Sequence, residues 1–214
     1  MRVGIIGSGN IGATVARLLV AAGHEVAIAN SRGPESLADL VAELGDRAHA
    51  ATVEDAAGFG GMVLVAVPLH AHDDLPPAPF AGRIVIDANN YYPGRDGAID
   101  ALEAGTTTSS ELLAAHLPDA HVVKAFNTMY YVTLGAEGRP QAPRAERLTL
   151  FVAGDDPEAT ARVAALIEEL GFAAVVTGPL AEGGRRQQPG TPVYNRPMTP
   201  AEAEAALAGD TGGA

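Results

Sequence analysis

The sequence has no cysteine and few positively charged side chains. Its 14 lysine and arginine residues are outnumbered by 26 aspartates and glutamates, so the 214-residue chain carries a formal charge of −12 at pH 7. The lack of cysteine excludes a disulfide framework, a thiolate nucleophile and a sulfur-ligated metal, and it fits a reducing compartment. We expect no nucleic-acid partner, because the backbones of DNA and RNA are bound by clustered lysine and arginine.

Long apolar runs are also missing. The longest one, Met62 to Leu69, is far shorter than the ~20 residues that a membrane-spanning helix needs. The first residues enter an apolar strand at once, without the basic region and apolar stretch of a signal peptide. We therefore expect no contact with a membrane and a cytoplasmic location.

The start of the chain holds a glycine fingerprint between an apolar strand, Arg2–Ile6, and an amphipathic helix. In such a pattern Gly7 permits a tight turn, Gly9 lets the backbone approach a pyrophosphate, and Gly12 lets helix and strand pack closely. The free N–H groups at the start of the helix then face the anion. The pattern predicts a dinucleotide site that contains Gly7, Ser8, Gly9, Asn10, Ile11 and Gly12.

Apolar β-rich segments alternate with helical periods along the chain, which is typical of a parallel sheet with helices on both faces. We predict seven further strands, at Glu25–Ala29, Ala48–Ala51, Met62–Val67, Arg83–Asp87, His121–Ala125, Leu148–Ala153 and Phe172–Thr177. Helix starts are indicated by Pro34, Thr52, the capping box of Thr108 and Glu111, and Asp156-Pro157. The predicted fold is α/β: a Rossmann-type, doubly wound, mostly parallel sheet over residues 1–180, with a C-terminal arm or tail over 181–214.

Two segments lack a helical or strand period. His70 to Gly82 contains three prolines and is predicted to be a loop. The polar, proline-rich stretch from Gly183 to Pro200 is predicted to be an ordered arm, packed on a neighbouring subunit or over the cofactor cleft, because it contains Val193 and Tyr194. The alternative is a solvated tail. Residues 208–214 are expected to be disordered.

The end of the second strand indicates which dinucleotide binds. NAD-binding folds usually place a carboxylate there to hold the adenosine ribose, but this chain reads Asn30-Ser31-Arg32. An arginine fork and a hydroxyl suit a 2′-phosphate. We therefore expect NADP(H), with Asn30, Ser31 and Arg32 at the adenosine end. The alternative is that these residues only form the approach to the second helix.

Several further motifs carry a family resemblance. Together with the glycine loop and Asn30-Ser31-Arg32, residues 65–68 (Val-Ala-Val-Pro), 87–90 (Asp-Ala-Asn-Asn), 123–128 (Val-Lys-Ala-Phe-Asn-Thr) and 152–156 (Val-Ala-Gly-Asp-Asp) resemble the NADP oxidoreductases that use the deazaflavin coenzyme F420. They are equally similar to the cytosolic oxidoreductase module of STEAP-type ferric reductases, whose membrane helices this sequence lacks. The resemblance covers residues 1–180.

The resemblance implies hydride transfer between NADP(H) and a flavin-like ring, most of all coenzyme F420, at the carboxyl ends of the strands. It places Val67 and Pro68 beside the nicotinamide, and Asn89, Asn127 and Thr128 in the pocket where the two rings meet. Such a reaction needs alignment and exclusion of water more than acid–base help. No catalytic residue is therefore assigned, and His70 is the candidate for a proton donor in this pocket.

Three functions remain open. The first is a soluble NADPH:F420 oxidoreductase. The second is an NADPH-dependent reductase of FMN, FAD, a quinone or another small acceptor, and the third is a non-catalytic NADP(H)-binding sensor. A metal site at His70-Ala-His72-Asp73-Asp74 is the less favoured interpretation of a solvated loop, so no metal is predicted. A homodimer is expected, because it would cover the apolar residues of the C-terminal arm.

Overall fold

An eight-stranded sheet forms the centre of the structure, a computed structural model that describes residues 1–209. Every predicted strand is present, with bounds within two residues of the expected ones. The strands are β1 (Arg2–Ile6), β2 (Glu25–Ala29), β3 (Ala48–Ala50), β4 (Met62–Val65), β5 (Ile84–Asp87), β6 (His121–Lys124), β7 (Thr149–Gly154) and β8 (Ala173–Gly178).

The strand order is β3-β2-β1-β4-β5-β6-β7-β8. All neighbouring strands are parallel except β6 and β7, which are antiparallel. The mostly parallel, doubly wound sheet that the alternation predicts is thus confirmed. The carboxyl ends of β1 to β6 meet at one edge, and the order reverses between β1 and β4, which is where such sheets bind ligands.

Helices cover both faces of the sheet. They are α1 (Asn10–Ala21), α2 (Ala38–Leu44), α3 (Val53–Gly58), α4 (Pro93–Asp96), α5 (Asp100–Glu103), α6 (Ser109–His116), α7 (Tyr131–Ala136), α8 (Pro157–Glu169), α9 (Leu180–Gly183) and α10 (Pro200–Gly209). The predicted caps are confirmed: Thr52 accepts from the Asp55 amide, Asp156 from two amides of α8, and Thr108 forms its capping box with Glu111. Within residues 1–209, none of the helices is both long and apolar enough to cross a membrane.

Alternate side chains of the central strands fill two apolar layers, as expected for parallel strands that are buried on both faces. On one face Ile5 and Leu64 belong to the layer that also holds Val15 and Leu19 of α1. On the other face Val63 lies in a second layer with residues of α3 and α6. The two layers fix the strand ends on which the functional groups stand.

The segment from His70 to Gly82 is a loop, as predicted, with short 3-10 turns at Leu69–Ala71 and Ala78–Phe80. Leu75 and Phe80 anchor it, since only 5% and 0% of their surfaces are exposed.

The predicted arm is ordered and packs on its own chain. Val193 is 1% exposed and lies against Phe151 of β7 and Ala203 and Leu207 of α10. Because its own chain already covers Val193, the homodimer expected from this arm stays a prediction. Helix α10 was not predicted, and the disorder expected from residue 208 onward is wrong for Ala208 and Gly209, which end this helix. Residues 210–214, also predicted to be disordered, lie outside the described residues.

Candidate functional site

The glycine turn forms an open cradle at the start of α1. Gly7 has a φ of +108°, and a Cβ atom there would overlap the carbonyl of Ala66; one on Gly12 would overlap the carbonyl oxygen of Gly7. Gly9 differs, because a Cβ built on it meets no atom within 4 Å. Gly9 is also the N-cap of α1, which has no side-chain cap and no acidic residue in its first turn. The exposed N–H groups therefore face open space and suit an anion.

The segment after β2 is tied to this turn by Asn30. The Asn30 Nδ2 atom donates to Ser8 Oγ at 3.0 Å and to Ser36 Oγ at 2.9 Å, while Asn30 Oδ1 accepts from the Arg32 amide at 2.9 Å. Asn30 thereby sets the distance between the glycine turn and the Ser31-Arg32 segment. The guanidinium of Arg32 has no hydrogen-bond or salt-bridge partner within residues 1–209 and is exposed.

Three adjoining cavities form a groove along the carboxyl edge. The first, of about 470 Å³, extends from Gly7, Ser8 and Gly9 to Asn30, Ser31 and Arg32. The second, of about 240 Å³, shares Gly9, Val67 and Pro68 with the first and adds Asn10, Ile11, Asn89, Asn90, Tyr92 and Arg95. The third, of about 210 Å³, shares Asn10, Ile11, Asn90 and Tyr92 with the second and adds Asn127, Thr128, Met129, Tyr130, Tyr131, Tyr194 and Asn195. The structure thus brings Asn89, Asn127 and Thr128 of the predicted acceptor pocket into one groove with all the predicted cofactor residues except Gly12.

The side chain of Asn89 lines the second cavity, but its polar atoms form hydrogen bonds with other groups of the protein. Its Oδ1 accepts from the Val67 amide at 2.8 Å, and its Nδ2 lies 2.7 Å from Asp87 Oδ1 and 2.9 Å from His72 Nε2. Its side chain is therefore a brace between the ends of β4 and β5. Burial disfavours the charged imidazole and lowers the pKa of His72.

The turn after β6 carries Asn127 and Thr128 into the third cavity. Asn127 Nδ2 donates to the Gln187 carbonyl at 2.8 Å, and the Thr128 carbonyl accepts from the Asn195 amide at 2.7 Å. The oxygen Asn127 Oδ1 is buried and has no hydrogen-bond partner in the described structure. The turn is conformationally unusual, because buried Phe126 has a φ of +63°, a value uncommon for a bulky side chain and often found at functional sites.

His70 is not among the residues that line the three cavities. Its side chain is 63% exposed, and its Nδ1 lies 3.8 Å from Asp96 Oδ1. The neighbouring His72 is the buried one, at 3% exposure. Within residues 1–209 no group of three or more His, Asp or Glu side chains is arranged to hold a metal ion.

Sequence reasoning missed the tyrosines and the arginine around the second and third cavities. The hydroxyls of Tyr92 and Tyr194 share a hydrogen bond across 102 positions of sequence, and the Arg95 guanidinium lies 4.9 Å above the Tyr92 ring. Burial, followed by the hydrogen bond with Tyr92, raises the pKa of Tyr194. Tyr194 reaches the third cavity only because the arm folds over it. In the sequence, the one indication of this was the pair Val193-Tyr194 within an otherwise polar stretch.

The uncapped helix start, the open glycine cradle and the free arginine lie at the switch point of a mostly parallel sheet and together form a dinucleotide-binding site. The model of the family "NADP oxidoreductase coenzyme F420-dependent" matches residues 2–91. A hypothetical protein of Sinorhizobium meliloti, SMa0349, has a structure 34% identical in sequence, with a TM-score of 0.79 over 93% of this chain and 95% of its own. The chain belongs to this family of NADP-dependent oxidoreductases.

Other solved structures are similar over different shares of their length. A protein of Arthrobacter sp. FB24, provisionally named an F420-dependent NADP reductase, is 26% identical, with a TM-score of 0.76 over 93% of this chain and 99% of that one. An imine reductase from Pseudomonas sp. is 18% identical, with a TM-score of 0.58, and is matched over 55% of its length, which shows a shared fold alone. No curated protein matches the chain.

Proposed function

We propose that this protein transfers a hydride between NADP(H) and a flavin-like acceptor, with the deazaflavin coenzyme F420 as the favoured acceptor. The observation that carries the proposal is the third cavity, which opens directly beside the second at the carboxyl edge. The family description and the name of the Arthrobacter protein support the choice of F420.

The residues of the first two cavities fit NADP(H). The cradle at Gly9 leaves room for a pyrophosphate, the α1 amides supply donors, and Ser31 with Arg32 supplies a hydroxyl and a free cation for a 2′-phosphate. Val67 and Pro68 would form the wall beside the nicotinamide. When bound, NADPH supplies the hydride; the protein's own part is to hold the ligand and exclude water.

The third cavity suits a planar ring with polar edges. Four tyrosines line it, at positions 92, 130, 131 and 194, and its amide groups come from Asn10, Asn90, Asn127 and Asn195. Aromatic faces stack on flat rings, and side-chain amides both donate hydrogen bonds to and accept them from the polar edge of such a ring. No carboxylate, imidazole, ammonium or guanidinium is among the residues that line this cavity. Such a pocket supports hydride transfer, which needs alignment more than proton transfer.

The proton-donor role of His70 remains a prediction with a simple test. The rate for His70→Ala is measured from pH 5 to 9 against the unaltered protein. A changed pH profile supports the role, and an unchanged rate across that range removes it.

The acceptor is identified by mixing the protein with NADPH and, in turn, coenzyme F420, FMN, FAD and a quinone, and by following the loss of nicotinamide absorbance anaerobically. Rapid turnover with F420 alone is the expected result. Turnover with FMN or a quinone instead would assign a different acceptor. Tight NADPH binding without any turnover would contradict the proposal and favour a binding protein that senses NADP(H).

A variant of the third cavity sharpens this test. Tyr194→Phe removes the hydroxyl that bonds Tyr92, so the KM for the acceptor is expected to rise by about threefold to tenfold, as for the loss of one neutral hydrogen bond. The Kd for NADP⁺ should stay unchanged. Tyr91→Phe is the matched control, because the Tyr91 hydroxyl bonds Gly97 and Ile99 outside the groove. An equal rise in KM for both variants would argue against the acceptor pocket.

A further inference from the structure

Lys124 is the only lysine in a chain that contains 13 arginines. It ends β6, its side chain is 1% exposed, and its ammonium lies 3.6 Å from the buried carboxylate of Asp87 at the end of β5. A buried charge pair of this kind is expensive to desolvate and is by itself weak evidence of stabilisation. Because the Lys124–Asp87 pair lies at the strand ends that carry the groove, we looked for a role besides general stability.

The hydrogen-bonding capacity of the ammonium is fully used. Lys124 Nζ donates to the Asn89 carbonyl at 3.0 Å, to Ser110 Oγ at 3.1 Å and to Ser109 Oγ at 3.5 Å. These are three acceptors for three N–H groups. An arginine fork is planar and larger, so it cannot reproduce this compact three-way contact.

The carboxylate of Asp87 is held equally closely. Its Oδ2 accepts from Ser110 Oγ at 2.5 Å, and its Oδ1 accepts from the Asn89 amide at 3.0 Å and from Asn89 Nδ2 at 2.7 Å. Burial opposes ionisation of Asp87, but the Lys124 charge and these donors outweigh it and lower the pKa of that carboxyl. Burial lowers the pKa of Lys124, against the attraction of Asp87.

These contacts leave Asn89 a single orientation. Its Nδ2 must face the Asp87 carboxylate and His72 Nε2, so its Oδ1 must face the Val67 amide, which needs an acceptor. The reversed amide would set oxygen against carboxylate and N–H against N–H. His72 Nε2 is thereby the acceptor, and the neutral ring carries its proton on Nδ1.

We infer that Lys124, Asp87 and Ser110 are positioning residues that, through Asn89, hold the ends of β4 and β5 at the fixed spacing that shapes the second cavity. The inference rests on the proposed function in placing the nicotinamide there. The Asn89 side chain links the Val67 amide to Asp87, and Val67, Pro68, Asn89 and Asn90 all line the second cavity. Within residues 1–209 no hydrogen bond or ion pair joins Asn89, Asp87, Ser110 or Lys124 to Ser31 or Arg32, although Val67 and Pro68 line the first cavity as well as the second.

This separation predicts a selective defect. Loss of the brace should misplace the ring end of the dinucleotide and leave the adenosine end bound as before. Ser110→Ala removes one acceptor of Lys124 and the donor that lies nearest to Asp87, although Ser110 lines none of the three cavities. We expect kcat to fall by about tenfold or more, since a small misplacement of reacting atoms is costly. The Kd for 2′,5′-ADP should change by less than about twofold.

Two readouts need no ligand. Exchange of the Val67 amide hydrogen, followed by NMR, reports the bond to Asn89 directly. Amine acylation, read by mass spectrometry, reports access to Lys124, which is the one lysine of the sequence. Ser110→Ala should speed both relative to the unaltered protein. Thr149→Val is the matched control: it removes another buried hydroxyl, which has no partner and lies on β7 away from the groove.

Asn89→Ala provides a second, independent variant. It removes the brace but keeps the carbonyl to which Lys124 donates. If Ser110 acts through Asn89, the double variant should lose no more kcat than the worse single variant. Additive losses, or unchanged Val67 exchange in Ser110→Ala, would overturn the inference. If Ser110→Ala does not fold, Asn89→Ala alone decides: fast Val67 exchange with normal kcat in that variant overturns it as well. Failure of the unaltered protein to bind NADP⁺ would instead overturn the proposed function and leave the exchange and acylation results valid.

Discussion

Replacing Gly9 by alanine separates ligand binding from folding more cleanly than any other change in the glycine turn. The new Cβ meets no protein atom within 4 Å, and Gly9 has a φ of −73°, which alanine adopts without strain. The gain from a stiffer unfolded chain is about 0.4–1 kcal/mol. It is offset by a similar cost, since alanine is a poor N-cap. The free energy of unfolding should therefore change by less than about 1 kcal/mol.

The same Cβ stands where a pyrophosphate would approach the α1 amides. Holding the phosphates back lengthens at least one charge-assisted hydrogen bond, which contributes about 1.5–3 kcal/mol. The Kd for NADP⁺ should rise by about 10-fold to 100-fold.

The assay is a calorimetric titration with NADP⁺, together with the thermal midpoint of the ligand-free protein. Gly12→Ala is the contrasting variant, because its Cβ overlaps the carbonyl of Gly7. That overlap should cost about 1–3 kcal/mol of stability and lower Tm by several degrees. If Gly9→Ala bound NADP⁺ as tightly as the unaltered protein, the cradle would not be the pyrophosphate site.

Three further outcomes are expected. Arg32→Glu should raise the KM for NADPH by at least about tenfold and that for NADH much less, because the free guanidinium at the end of β2 becomes a negative charge; an unchanged KM for NADPH would remove the 2′-phosphate assignment. The pKa of His72 is lowered in the folded protein, so near pH 6.5 the unfolded chain binds a proton that the folded protein does not, and the free energy of unfolding should fall from pH 7 to pH 5. In urea titrations His72→Gln should reduce this dependence on pH, whereas His70→Ala, a change at an exposed side chain, should leave it as it is. Val193→Ala should lower the free energy of unfolding by about 1.5–3 kcal/mol, because it loses burial against Phe151, and should leave the Kd for NADP⁺ unchanged. A variant as stable as the unaltered protein would contradict the packing of the arm on its own chain.

The strands were predictable for a simple reason. Parallel strands buried on both faces appear as short, continuous apolar runs, such as Met62–Val65, between helices with clear caps. The glycine turn was equally predictable, because local sterics require glycine at positions 7 and 12, and Gly9 leaves open space at the start of α1.

The remaining features depend on contacts distant in sequence. Helix α10 is alanine-rich and buries only Pro200, Ala203 and Leu207, so it lacks a broad apolar stripe. Asp87 and Lys124 belong to separate motifs, and only the pairing of β5 with β6 sets them side by side. The reversal of direction at β7 likewise leaves no local signal, since an antiparallel partner looks the same in the sequence.

The pairing of β7 with β6 decides where in the structure the closing arm begins. β7 and β8 run against the first six strands, but the register places Gly178, the last residue of β8, level with Lys124 at the end of β6. The arm that follows therefore begins near the groove, to which it brings Gln187, Tyr194 and Asn195. The opening thirty-two residues thus govern one end of the groove and the closing arm governs the other. On the proposed function, substitutions of Tyr194 or Asn195 in the arm should change the preference for the acceptor and leave NADP(H) binding unaffected.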